Sequence, residues 1–107
     1  MVWACVFQKK NTSDFLKIPE IKSLNDLLEN YDLVYIYKLK KLDPERVFEN
    51  GNGIGRRLPL KYSLSVGDIV GFFENGKLKN LYICMPVGWK EIGGGLFEGE
   101  SANEFTS

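Results

Sequence analysis

The sequence predicts an α+β fold: one small domain built on a twisted antiparallel sheet of about five strands with two short helices. Three observations predict it. Apolar and aromatic residues alternate with a period of two in four separate runs. Asn75-Gly76 sits between two of these runs as a tight hairpin turn. Two short segments open on capping residues before an apolar stripe.

In order along the chain, "VWACVFQ" (residues 2–8) places Trp3, Cys5 and Phe7 on one face and Val2, Ala4 and Val6 on the other. Two apolar faces suit a central strand. The polar "KKNTSD" is a turn, and Pro19 ends a short extended piece around Phe15 to Ile18. In "SLNDLLENY", Ser23 is an N-cap with Asp26 three residues on, and Leu24, Leu27 and Leu28 share a face. "YDLVYIYKLK" reads as the second strand. "DPERVFENG" offers Asp43 as cap, Pro44 at the first helical position and Gly51 as stop; so short a helix must be held by packing Val47 and Phe48 on the sheet. "GNGIGRRLPLKY" is an irregular loop. Ile69 to Glu74 and Leu78 to Met85 form the hairpin, and Trp89 to Ile92 begins a further short strand. Residues 1–92 form the domain; 93–107, glycine-rich and then acidic, read as a flexible tail.

Composition narrows the function. The chain has 107 residues, no net charge and no histidine. Without imidazole there is no Ser-His-Asp or Cys-His couple and no His metal ligand. Two cysteines, Cys5 and Cys84, are too few for a zinc site and sit in apolar runs where thiols behave as small hydrophobes. No cofactor and no metal are expected. The apolar runs are strand-sized and the N-terminus lacks a basic leader, which leads us to expect a cytoplasmic protein. All 14 Lys and Arg precede residue 91, whereas residues 91–107 hold four Glu and no base.

Several residues invite a chemical reading. Asp68, between Gly67 and an apolar run, could be a catalytic carboxylate, yet it lacks a base and suits an Asx-type turn. "GNGIGRR" has Arg56 where a dinucleotide fingerprint requires its third glycine, although Arg56 and Arg57 could grip an acidic group. Ser63 and Ser65 lie outside any nucleophile elbow and read as turn hydroxyls. Tyr31, Tyr35, Tyr37, Tyr82 and Trp89 among Lys38, Lys40, Lys61 and Lys79 resemble a single-strand nucleic-acid surface, but strand packing accounts for the aromatic spacing.

The order of these signals over about residues 2–92 resembles the YodL-like domain family, small proteins and modules common in Firmicutes and frequent on phages, plasmids and conjugative elements. The likeness is strongest in "YSLSVGDIVGFFENGKLKNLYICMPVGWKEI", where Ser63, Leu64, Ser65, Val66, Asp68, Tyr82, Cys84, Gly88 and Trp89 occupy the shared positions. The family commonly has His where Tyr62 stands, and Asp-Ser where Met85 and Pro86 stand.

The resemblance implies a structural role for the shared positions and a mobile-element setting. With catalytic groups missing, we expect a non-enzymatic module that binds and modulates or inhibits a host protein, an anti-defence factor being the sharper form. Its contacts are expected at Arg56, Arg57, Lys61, Asn75, Lys77 and Lys79. The alternative is a small nucleic-acid-binding domain using its basic and aromatic face. An exposed edge at the first or last strand is where a second copy could pair.

Overall fold

The computed structural model describes residues 1–13, 17–52 and 58–92, apart from the side chain of Leu24. Its elements are β1 (Val2–Lys9), α1 (Leu24–Asn30), β2 (Tyr31–Leu39), α2 (Pro44–Asn50), β3 (Ile69–Glu74), β4 (Lys77–Cys84) and β5 (Trp89–Glu91). All neighbouring strands pair antiparallel, in the order β2-β1-β3-β4-β5. The fold is the small α+β domain the sequence predicts.

β1 is central, as its two apolar faces require. Cys5 and Phe7 join Leu27, Tyr31, Ile69, Phe73, Leu78, Leu81 and Ile83 in one core, on the α1 side. Val2, Ala4 and Val6 join Val47, Leu58, Leu60, Leu64, Val70 and Phe72 in a second core on the α2 side. Each fully buried aliphatic or Phe side chain contributes roughly 1.5–3 kcal/mol. A sheet dry on both faces therefore stabilises a chain of this size despite helices of only seven residues each. With β1 inside, the edge strands among the described residues are β2 and β5. The expectation that the first strand offers an edge is corrected, since β1 is paired on both sides.

Two irregularities adjust the sheet. The β1–β2 register slips between Val6 and Phe7, leaving Val34 unopposed, so Val34 and Tyr35 both face the α2 side. The β3–β4 register slips between Phe72 and Phe73, leaving Lys79 unopposed. The β3–β4 hairpin closes on Asn75 at φ 56° and Gly76 at φ 78°, the paired positive angles of a type I′ turn.

Both helix caps form. Ser23 accepts from the Asp26 N–H and Asp43 from the Arg46 N–H. Asp26 in return accepts from the Lys22 N–H, one residue earlier than a capping box requires. Leu27 is wholly buried, whereas Leu28 is 36% exposed, so the buried stripe of α1 is narrower than its leucines suggest. Gly51 ends α2 at an ordinary φ of −94°. Its missing side chain serves packing instead: a Cβ there would lie 3.1 Å from Leu60 and 3.2 Å from Leu64.

Of the extended piece expected near Phe15, residues 15 and 16 lie outside the described residues, and Ile18 packs on the α1-side core. The tail 93–107 also lies outside them. Among the described residues no helix is long and apolar enough to cross a membrane.

Candidate functional site

One glutamine of the sheet bonds to three residues of the segment 60–68. Gln8, at the end of β1, is fully buried. Its Oε1 accepts from the Lys61 N–H at 3.0 Å, and its Nε2 donates to the Tyr62 carbonyl at 3.0 Å and to Asp68 Oδ2 at 3.1 Å. Ser65 to Asp68 then form a turn: the Asp68 N–H donates to the Ser65 carbonyl at 2.9 Å, and Gly67 takes φ +90°, as the third residue of a type II turn must. The Ser65 N–H returns a bond to Asp68 Oδ2 at 2.9 Å, and the Tyr62 hydroxyl donates to Asp68 Oδ1 at 2.9 Å.

The Asp68 carboxylate is thus enclosed. Burial raises its pKa above the usual carboxylate value; the Ser65 N–H, Gln8, Tyr62 and the Lys9 charge offset that without cancelling it. Burial, and then Asp68 itself, raise the Tyr62 phenol. The Ser65 hydroxyl donates to the Ser63 carbonyl at 2.7 Å and so is turned to its own turn. Around Asp68 stand the Gln8 amide, the Tyr62 phenol, the Ser65 N–H and the Lys9 charge, an arrangement that fixes a turn. Tyr62, where the resemblance puts His, holds the carboxylate as a neutral donor.

The same turn forms one wall of a groove of roughly 650 Å³, lined by Glu45, Phe48, Leu64, Ser65, Val66, Cys84, Met85, Pro86, Gly88 and Trp89. Three ties position its walls. The Leu64 N–H donates to the Gly51 carbonyl and Asn52 Nδ2 to the Leu64 carbonyl, joining the end of α2 to the turn. The Gly67 N–H reaches the Cys84 carbonyl and the Cys84 N–H the Asp68 carbonyl, fixing the turn to β4. The Met85 N–H donates to the Gly88 carbonyl, folding β5 back. Trp89 then meets Phe48 edge to face, their centroids 6.2 Å apart. At the floor, burial pushes the Cys84 thiol up to about 11, with the Asp68 and Glu45 charges adding to it.

Six of the nine positions that carry the family resemblance line this groove: Leu64, Ser65, Val66, Cys84, Gly88 and Trp89. Of the others, Asp68 anchors the wall, Ser63 is exposed, and Tyr82 packs edge to face on Phe72 at 6.0 Å. Met85 and Pro86, where the resemblance puts a polar pair, give this part of the groove an apolar lining. Sequence reasoning missed Gln8 and the contribution of Phe48 to the groove. The polar end of an otherwise apolar central strand was the available signal for Gln8.

Of the expected contact residues that are described, Lys61 lies apart from Asn75, Lys77 and Lys79. Arg56 and Arg57 lie outside the described residues. Lys61 sits beside Gln8 and forms a half-exposed ion pair with Asp32. Asn75, Lys77 and Lys79 surround the β3–β4 hairpin, at the end of β1 marked by Trp3. The sheet separates them by about five residues of strand, roughly 16 Å. Cys5 and Cys84 are both free and buried and face opposite sides of the sheet. Among the described residues no three His, Cys, Asp or Glu side chains could hold a metal ion.

The fold and groove define a small α+β module whose surface loops frame an apolar cleft. The YodL-like domain family model matches residues 4–94, and the chain belongs to that family. Neither the curated proteins nor the solved structures provide a match.

Proposed function

We propose that this YodL-like domain is a non-enzymatic protein-binding module of a phage or mobile element, one that binds and modulates or inhibits a host protein. The observation that carries the reading is the convergence of six family-shared positions on one open, apolar groove, while the family-shared carboxylate is enclosed. A surface built this way suits capture of a partner's side chains better than turnover of a substrate. The sharper reading, an anti-defence inhibitor, rests on the mobile-element setting that the resemblance implies.

Affinity capture from a bacterial host lysate tests it, comparing the wild type with Val66→Glu and Pro86→Glu, both on the groove. A stoichiometric protein retained by the wild type and lost from folded variants is expected. Equal capture by all three proteins, or no stoichiometric partner, counts against the reading. For the nucleic-acid alternative, two of the lysines named from sequence are already engaged: Lys61 pairs with Asp32, and Lys38 lies 4.9 Å over the Trp3 ring. A gel shift at low ionic strength, where phosphate contacts are strongest, tests that alternative directly.

A further inference from the structure

Among the described residues that line the groove, Glu45 alone is charged. It stands three residues before Phe48 on α2, so the carboxylate and the ring share one face of the helix. Its neighbour Arg46 is turned to Glu49, 3.7 Å away, and Glu45 forms no ion pair among the described residues. Burial does most to raise the Cys84 thiol at the floor, and the Asp68 and Glu45 charges add to it, so the Glu45 carboxylate is felt inside the groove.

The aromatic pair completes the setting. Phe48 and Trp89 meet at an interplanar angle of 83°, and both are partly exposed. In an edge-to-face pair, the ring that gives its edge keeps both its faces clear of the other ring. An aromatic face and an unpaired carboxylate in one apolar cleft are complementary to a planar cation on an aliphatic stem. A wholly apolar occupant would crowd Glu45 without matching its charge, and an acidic one would be repelled.

We infer that the groove receives an arginine side chain of the partner protein, its stem against Val66 and the Phe48–Trp89 pair and its guanidinium at Glu45. Arginine suits the site better than lysine. Its planar fork lies flat on a ring and matches both carboxylate oxygens, whereas an ammonium is a compact, strongly hydrated point charge. The chain's own residues 93–107 hold no base, so they supply no such cation. This inference rests on the protein-binding reading of the groove and names the chemistry of what binds.

Three capped probes test it, the acetyl methylamides of arginine, citrulline and norleucine, titrated against the folded chain by heteronuclear NMR. Citrulline keeps the planar shape without the charge, and norleucine keeps only the stem. The arginine probe should shift the signals of Phe48, Val66 and Trp89, the indole N–H included. It should bind about threefold or more tightly than the other two, a margin that shrinks with added salt. Glu45→Gln, a change at an exposed position, should bring the arginine probe down to the citrulline affinity. Equal affinity for the three probes, shifts away from the groove or none at all, or an arginine preference that survives Glu45→Gln overturns the inference. Those results would leave lysate capture dependent on Val66 and Pro86 untouched, so the two readings fail separately.

Discussion

Replacing Asp68 by alanine leaves the Gln8 amide, the Tyr62 hydroxyl and the Ser65 N–H without their acceptor in a buried setting. We expect a loss of about 2–4 kcal/mol in urea unfolding, a large share of the stability of a small domain. Asp68→Asn keeps the shape and one acceptor oxygen; it should cost about 1 kcal/mol and leave partner capture unchanged. Loss of capture in a folded Asp68→Asn protein would instead give the carboxylate a chemical role. The pH dependence has a definite sign. Burial raises the folded carboxyl above its ordinary 3.8, so the folded state holds this proton more tightly than the unfolded chain. The Asp68 contribution to stability therefore falls as pH rises from 3.8 through the folded value, and is level above it. The stability of the wild type relative to Asp68→Asn should decline across that acid window. A rise there would mean that its donors outweigh burial.

Turns separate two uses of glycine. Gly76 has positive φ but open space around its α-carbon, so Gly76→Ala should cost only backbone strain, about 1 kcal/mol. Gly67 combines φ +90° with the Lys9 ammonium, which a Cβ would approach to 3.0 Å. Gly67→Ala should cost more, about 2–3 kcal/mol, and chemical denaturation of the two variants side by side measures the order. Such elements were legible because their signals are local: Asn-Gly between alternating runs, Ser23 and Asp43 before apolar stripes, two apolar faces on β1. The groove was not legible, because its walls come from residues 45–48, 64–66 and 84–89, which only the tertiary fold brings together. Gln8 bonds to groups 53, 54 and 60 residues away, and no periodicity in the sequence announces such a link. Of the contact residues expected from the sequence, the described ones divide between Lys61 near Gln8 and Asn75, Lys77 and Lys79 at the hairpin, toward opposite ends of β1, for the same reason.

Across the whole molecule, the sheet divides the two thiols. Cys5 lies in the α1-side core with its pKa pushed up to about 12, and Cys84 on the groove side is pushed up to about 11. Thiolate is the reactive form, so both should resist a thiol reagent at neutral pH in the folded protein and react readily in denaturant. Cys84, under the open groove, should label before Cys5, and mass spectrometry of a time course reads the order. An oxidant should form no internal disulfide while the sheet is intact, since the sulfurs face opposite sides. Rapid labelling of Cys5 in native conditions would show that the α1-side core opens far more often than its packing implies.

The strand order also bears on how the domain is made. β1 lies between β2 and β3, and its Trp3 pairs with Phe73, seventy residues further on. On the ribosome, β1 can acquire β2 early, but its other edge and much of both apolar faces wait until β3 has been synthesised. A nascent chain halted within residues 58–68 carries an unsatisfied strand of "VWACVF", a template for joining other chains. Closure of the sheet is thus a late, non-local event, of the kind that folds in milliseconds to seconds rather than microseconds.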